Sequence, residues 1–377
     1  MIDHLKGLGN LASLKLIRSD ITRFILLTTC MTISNITQAA DLIFKTECIG
    51  SYSLDLPDNI EIALFPIERY LQPRSNYPNY FLDGKWAILS TFNYNSNNID
   101  IADGKFNKKI LKNIVNQLNS DYDERLKSKR QYKIKNININ NNNKLIGYYS
   151  DYASNLALIA NERIYTFYSN ERYQGEEKDF AFYKQNAESI INNFRVRELF
   201  EVPKEAGKCI PYGFVAGNDK TMPINMTVSF RLNEHPDIVI SFSESTWSFT
   251  NSLSFSNKDE INLFWNTNYD IDNDNIKNIK LLGFPFKYRD IKMDGRKGLA
   301  SFVEIRYKDN APSDYGYYSI VEHIPVVKKS SKNYPWLIMS VIGKQSESKG
   351  KTPLTKDEIY ELAKKIEASI KRRATEQ

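Results

Sequence analysis

Residues 47–57 read ECIGSYSLDLP, and residues 208–217 read KCIPYGFVAG. Both stretches place a cysteine at their start and then alternate apolar with small or polar residues. This alternation is typical of a half-buried β-strand. The chain is therefore predicted to contain two similar units, one opening at Cys48 and the other at Cys209.

The first unit continues with further strands and two helices. Strand-like segments at 60–65 and 84–94 precede a helical pattern at 105–118, where apolar residues recur every three or four positions. Segments rich in β-forming residues follow, and a helix over 183–194 is predicted to close the unit. The asparagine-rich tract at 136–143 between these segments is predicted to be a hairpin tip or loop.

The second unit follows the same order. Its strand-like segments precede a short helix that begins after Ser256, where Ser-x-x-Asp resembles a helix N-cap. Several more strands, among them one at 278–288, lead to a closing helix at Thr355, which carries the capping-box pattern Thr-x-x-Glu. The order of elements predicts an α+β protein made of two similar domains, each a largely antiparallel sheet with packed helices. The expected ranges are 40–201 for the first domain, 202–208 (VPKEAGK) for the linker, and 209–377 for the second domain.

Residues 1–39 are predicted to be a secretory signal peptide. The apolar run at 24–36 (FILLTTCMTISNI) follows three basic residues and precedes small residues, and it is too short to span a bilayer. Cleavage is expected between Ala39 and Ala40, which would make the protein periplasmic. A lipoprotein anchored at Cys30 is disfavoured because Thr29 stands where a smaller residue is usual. A buried amphipathic N-terminal helix is the alternative.

The charge of the chain does not indicate nucleic-acid binding. The whole sequence has 377 residues and a net charge of +6, which falls to +4 when residues 1–39 are removed. The densest basic cluster, at 127–135, follows an acidic stretch and is better explained as the solvated end of a helix than as a phosphate groove.

The chain lacks the motifs of common enzymes and cofactor sites. The sequence has no Gly-x-Ser-x-Gly elbow, and a phosphate loop fails because Gln345 stands where its first glycine belongs. His235 reads as a turn residue and His323 as a strand residue, so a structural role is favoured for both. The aspartates at 270, 272 and 274 lack the glycine and glutamate of a calcium loop. The sequence therefore predicts no catalytic, metal or cofactor site.

Cys48 and Cys209 are the cysteines that remain after the predicted cleavage. In an oxidising compartment they could form a disulfide that closes a loop of roughly 160 residues and stabilises the fold by about 5 kcal/mol. They could equally be two separate buried thiols at equivalent positions of a duplicated unit. The sequence leaves both possibilities open.

The two cysteine-headed openings resemble those of the two-domain immunity proteins that neutralise type VI secretion phospholipase effectors. The resemblance covers the chain from about Cys48 to Arg373 and rests on ECIGSYSLDLP and KCIPYGFVAG. It implies a periplasmic inhibitor without enzymatic activity, which grips a lipase between its two domains and blocks the catalytic cleft. Pro211 and Tyr212 in the second opening depart from the usual pattern.

A binding protein needs a few aromatic or arginine anchors within its contact surface. Candidate anchors lie in aromatic-bearing loops, although a core or cross-strand packing role is the alternative for each: Trp247, Tyr288, Arg289, Tyr315, Tyr317 and Tyr318. The competing function is that of a structural or ligand-binding envelope protein, with an unrecognised hydrolase as a further possibility.

Overall fold

The computed structural model describes residues 42–71, 78–87, 89–103, 108–127, 134–139, 144–151, 153–170, 180–217, 224–246, 256–269, 275–283, 287–321 and 334–374. Within these ranges the chain forms twenty β-strands, four α-helices and two short 3-10 helices, at Ile67–Leu71 and Gln345–Glu347. The predicted signal peptide and its cleavage site between Ala39 and Ala40 lie outside the described residues.

The first half of the chain contributes ten strands and two helices. The helices are α1 (Lys108–Lys127) and α2 (Phe180–Asn193). The strands are β1 (Phe44–Ile49), β2 (Tyr52–Pro57), β3 (Ile60–Ile62), β4 (Thr91–Tyr94), β5 (Asn97–Asp103), β6 (Ile134–Ile139), β7 (Lys144–Ser150), β8 (Ala153–Ala160), β9 (Arg163–Asn170) and β10 (Phe194–Val196).

The second half contributes the same numbers. Its helices are α3 (Asn257–Asn268) and α4 (Lys356–Ser369). Its strands are β11 (Gly207–Ile210), β12 (Gly213–Ala216), β13 (Ile224–Leu232), β14 (Ile238–Ser245), β15 (Ile276–Leu282), β16 (Tyr288–Met293), β17 (Arg296–Tyr307), β18 (Asp314–Val321), β19 (Trp336–Gly343) and β20 (Lys371–Arg372).

One antiparallel sheet of fourteen strands runs through both halves. Its order is β15-β17-β18-β19-β14-β13-β4-β5-β9-β8-β7-β6, with β16 added on β17 and β3 on β13. From the centre outward, the first half runs β4-β5-β9-β8-β7-β6, and the second half runs β13-β14-β19-β18-β17-β15. In each half the last strand of this sheet, β9 or β19, lies beside the second, β5 or β14. The halves therefore have the same strand order, and they meet where β4 pairs with β13. The α+β class with a largely antiparallel sheet is confirmed.

The two faces of the sheet carry different layers. Helices α2 and α4 pack against one face and enclose the main core, which includes Tyr183, Ile190, Ile359 and Ile366. Helices α1 and α3 pack on the opposite face, each over its own half, where they form two smaller cores. The central strands lie between these two smaller cores.

The helix starts of the second half follow the sequence closely. Ser256 caps α3 and Thr355 caps α4, and in both cases the acidic residue three positions later completes a capping box. Both predicted helix starts are confirmed. Such caps form because side-chain hydrogen bonds at a helix start satisfy backbone N–H groups that have no partner within the helix.

Two predicted strands are wrong in their bounds. Only the end of the predicted strand at 84–94 is β-structure, because the chain reverses at Gly84, whose φ of 81° suits glycine. The amide of Gly84 donates to the Phe81 carbonyl and the amide of Phe81 to the Lys85 carbonyl, both at 2.9 Å. The predicted strand at 278–288 is likewise divided, between the end of β15 and the start of β16.

Two three-stranded sheets exchange their closing strands between the halves. β10, which follows α2 in the first half, pairs with β12, whereas β20 at the end of the second half pairs with β2. The amides of Arg197 and Arg373 donate to the turn carbonyls of Tyr212 and Ser51, respectively, so the two exchanges use equivalent contacts. The first hairpin is thus completed by the end of the chain.

The two small sheets meet at a disulfide between Cys48 and Cys209, whose Cα atoms are 5.8 Å apart. Gly50 and Cys209 also exchange two backbone hydrogen bonds, of 2.7 and 2.9 Å. Beside the disulfide, the Arg197 guanidinium lies 2.5 Å from the Glu47 carboxylate, and both side chains are fully buried. No helix in the described ranges is long and apolar enough to cross a membrane.

Candidate functional site: a groove over the central sheet

The central strands present a face of small hydroxyl side chains between helices α1 and α3. Along β13 and β14, alternate residues point into the main core, and the residues between them point to the opposite face. On that face Thr227 donates to the Ser243 hydroxyl at 2.8 Å, and the hydroxyls of Ser229 and Ser241 are 2.9 Å apart. These side chains form the floor of a groove whose hydroxyls already have partners.

Helix α3 forms one wall of the groove. Leu263, which is 44% exposed, and Phe264 line it, and the Phe264 ring stacks on Tyr318 with ring centroids 4.0 Å apart. Trp265 on the buried side of the helix donates to the Ser301 hydroxyl at 2.9 Å and so ties α3 to β17. The surface of this wall is therefore apolar, and the helix that forms it is hydrogen-bonded to the sheet.

The loop at 78–90 forms the opposite wall. It presents Trp86 and Leu89 to the groove, with Trp86 53% exposed, and Leu82 beside it is 88% exposed. The groove consists of two cavities that share Leu89 and Phe264 among their lining residues, a narrow one of about 70 Å³ beside Trp86 and a wider one of about 410 Å³ beside α3.

A network of charged side chains holds this loop in place. The buried Arg231 pairs with Glu61 at 2.6 Å and with Asp83 at 2.9 Å, and Asp83 also pairs with Lys349. Burial opposes ionisation of Asp83, but the hydrogen bonds from Arg231 and Lys349 outweigh it and hold the pKa of that carboxyl well below its usual range. The exposed Trp86 is consequently carried by an anchored turn.

Lys85 completes the network at the narrow end of the groove. Its ammonium pairs with Glu347, and burial together with the nearby Lys344 and Arg231 lowers the pKa of Lys85 to about 8. The side chain of Glu347 also lies 3.9 Å from Lys344. The ammonium of Lys85 therefore has a carboxylate partner at this end of the groove.

Glu260 lies at the wide end of the groove and forms no ion pair with another described residue. It is 7% exposed, and its Oε1 atom has no hydrogen-bond partner among the described residues. Desolvation, reinforced by the neighbouring Asp259, raises the pKa of Glu260. Burial of this carboxyl could not be predicted from the sequence, because Glu260 stands in the first turns of a surface helix.

Among the anchors predicted from the sequence, Tyr318 lines the wide end of the groove, and Tyr288, Arg289 and Tyr317 line a separate cavity of about 940 Å³. Trp247 is outside the described residues. Tyr288 donates to Asn262 at 2.7 Å and holds β16 to α3, while the half-buried Tyr315 stacks on Phe302. Arg289 donates to both carboxylate oxygens of Glu367, at 2.8 and 3.0 Å.

Tyr317 and Tyr318, which were predicted as anchors together with these residues, are 1% and 4% exposed. Tyr317 joins the Arg289–Glu367 pair in the main core, and Tyr318 packs under α3 on the other face. Both side chains serve packing in this structure. The exposed Trp86 was missed because its segment reads as a strand.

His235 is the histidine that the structure describes. His235 is 9% exposed and lies in a turn, and its Nδ1 atom has no hydrogen-bond partner within the described ranges. The carboxylate of Asp237 nearby in sequence is likewise without one there. His323 and the aspartates at 270, 272 and 274 lie outside the described residues. Among the described residues no group of three or more histidine, cysteine, aspartate or glutamate side chains is placed to hold a metal ion.

Comparison with known families places the second half of the chain. Residues 201–375 match the family model of the Tle cognate immunity protein 4 C-terminal domain. The match begins beside the second cysteine-headed opening and runs through the second half of the chain. The resemblance stated from the two cysteine-headed openings is thereby confirmed. No curated protein matches the chain.

Solved structures of immunity proteins have a similar fold. The immunity protein TplEi of the type VI secretion system of Pseudomonas aeruginosa, complexed with "L" peptide, is 18% identical with a TM-score of 0.55. A chain in the crystal structure of the Tle4–Tli4 complex is 19% identical, also with a TM-score of 0.55. Each alignment covers 88% of this chain and 98% of the other. The chain thus shares the fold of these two structures over most of its length.

Proposed function

We propose that this protein is a periplasmic immunity protein that binds a type VI lipase effector in the groove over its central sheet and thereby blocks access to the effector's catalytic cleft. The observation that carries the proposal is the match of residues 201–375 to the Tle cognate immunity protein 4 domain. The structure of a Tle4–Tli4 complex supports an immunity protein of this fold acting by direct binding.

The groove has the properties of a protein-binding surface. Its rim carries Trp86, a large exposed apolar residue on an anchored loop, and its opposite wall carries Leu263. Tryptophan is enriched among the residues that dominate binding energies, and a rigid loop loses little conformational entropy on binding. Inhibition by occlusion requires no catalytic group on this chain, so we propose that it is not an enzyme.

We further propose that the two halves act as the two domains of the gripping arrangement. Their identical strand order supports this division, as does the start of the family match at residue 201, beside the predicted linker at 202–208. The groove lies over β4, β13 and β14, where the two halves join, and an occupant there would contact both.

The test combines the purified protein with the lipase effector encoded next to its gene. Co-elution as a complex and loss of phospholipid hydrolysis are the expected results. If the two proteins neither co-elute nor show reduced turnover, the proposed function is wrong.

Variants locate the site on the groove. Thr267→Arg, at an exposed position of the wide end, is expected to weaken inhibition at least tenfold by obstructing the groove. Its control is Thr352→Arg, at an exposed position that lines neither cavity of the groove. Trp86→Ala is expected to cost about 2 kcal/mol of binding free energy, as for a central aromatic anchor. Its control is Leu126→Ala, which removes a side chain of 53% exposure from α1. Equal inhibition by each variant and its control would place the binding surface elsewhere.

A further inference from the structure

Glu260 is an ionisable side chain in the groove that the fold itself does not use. It follows the capping box of α3, in which Ser256 and Asp259 satisfy each other, so Glu260 has no capping role. Lys258, two residues earlier, lies 5.4 Å from the centre of the Tyr288 ring and is directed there. Within the described ranges no lysine or arginine forms an ion pair with Glu260.

The surroundings of Glu260 make an unpaired carboxylate costly. Leu263, Phe264 and Tyr318 line the same cavity, and the floor hydroxyls of Thr227 and Ser243 are engaged with each other. A buried charge without a partner destabilises a fold, because the interior does not replace its hydration. A carboxyl group buried in this cavity is suited to pair with a basic group of a bound partner.

We infer that the wide end of the groove receives a basic side chain, arginine or lysine, from the effector, which pairs with Glu260 while its aliphatic part packs on Leu263 and Phe264. Charge complementarity selects this occupant, since a basic residue supplies the missing counter-charge and its apolar stem fits the wall. The cavity of about 410 Å³ is large enough for one long side chain with its flanking backbone. This inference rests on the proposed function and adds the chemistry that the partner must present.

The first experiment measures binding of the neighbouring lipase effector by calorimetry. Glu260→Gln keeps the shape and removes the charge, and about 10- to 100-fold weaker binding is expected, as for loss of one member of a desolvated pair. The melting temperature of the free variant should be unchanged or higher, because a carboxylate without a partner has been neutralised. A purely structural role would instead lower it. Glu361→Gln, on the exposed side of α4, is the matched control and should bind like the wild type.

If Glu260→Gln does not fold, a second pair of variants tests the pairing of Glu260 with a basic side chain of the effector. Leu263 lies one helical turn after Glu260 on the same face, so Leu263→Lys supplies an internal counter-charge. It should raise the stability of the free protein and weaken effector binding more than Leu263→Gln, which has a similar length and no charge.

The outcomes separate this inference from the proposed function. If wild-type protein does not bind the effector, the proposed function is wrong. If the wild type binds and both Glu260→Gln and Leu263→Lys bind as tightly as their controls, the proposed function stands and the pairing with Glu260 is refuted.

Discussion

Arg197 and Arg195 stand two residues apart at the junction of the two halves, and they offer a direct test of how the hairpins are held together. Arg197 is fully buried, 2.5 Å from the equally buried Glu47 carboxylate. Its guanidinium also donates to five backbone carbonyl groups, those of Cys48, Glu198, Glu201, Ile210 and Gly213. Arg195 is 39% exposed and pairs with Glu201 at 2.7 Å and Glu205 at 3.0 Å.

Replacement of each arginine by methionine should have very different effects. Arg197→Met leaves the buried Glu47 carboxylate without its counter-charge and removes a donor from several carbonyl groups, which should lower the free energy of unfolding by about 3–5 kcal/mol. Arg195→Met breaks ion pairs that water already screens, and a loss of about 0–1 kcal/mol is expected. Both variants remove the same side chain from the same short segment, so each controls for the other.

The assay is urea unfolding followed by tryptophan fluorescence and by far-ultraviolet circular dichroism, since agreement of the two probes tests for a two-state transition. The double variant Glu47→Gln with Arg197→Met should lose less free energy of unfolding than the two single variants together. The reason is that each single substitution leaves one unpaired charge in the core, whereas the double substitution leaves none. Equal effects of Arg195→Met and Arg197→Met, or additive effects in the double variant, would contradict the assignment of a buried ion pair.

Two further predictions concern the disulfide and the anchored loop. Removal of the Cys48–Cys209 bridge by a double alanine substitution should lower the free energy of unfolding by about 5 kcal/mol, since the bridge closes a long loop in the unfolded chain. A reducing agent should shift the urea midpoint of the wild type and leave that of the double variant unchanged; equal shifts would exclude the bridge. The pKa of Asp83 is held below its unfolded value by Arg231 and Lys349, so its contribution is present above about pH 4 and is lost as the pH falls through the folded pKa. Asp83→Asn should therefore be less stable than wild type at pH 7. The difference should begin to narrow below about pH 4 and close only as the pH falls to the folded pKa, and a difference independent of pH would oppose this explanation.

The sequence predicted those parts of the fold that depend on local patterns. The capping boxes at Ser256 and Thr355 mark helix starts because their hydrogen bonds lie within one turn of chain. The α+β class follows from alternation along the strands, which local sequence also records. The exchange of β10 and β20 between the halves could not be predicted in this way, because it is decided by packing between residues far apart in the chain.

The groove escaped prediction for a different reason. Ser229, Ser241 and Ser243 occupy alternate strand positions where a polar residue ordinarily indicates solvent, and only the placement of α3 turns that face into a floor with walls. Trp86 was assigned to a strand because the apolar residues around it outweighed the single glycine signal at Gly84. The wall, floor and rim of the groove come from segments far apart in the chain, so local sequence patterns do not show that they are neighbours.

The exchange of closing strands gives the chain an order of maturation. The hairpin of β1 and β2 is made first, yet its third strand is β20, formed by Lys371 and Arg372 near the other end. Arg373, just beyond, also donates to the carbonyls of Pro203 and Gly207 at the start of the second half. A chain still emerging from a ribosome therefore holds an unfinished first sheet until residues 371 and 372 have been made. Loss of a few C-terminal residues should damage the N-terminal hairpin as much as the segment from which they were removed.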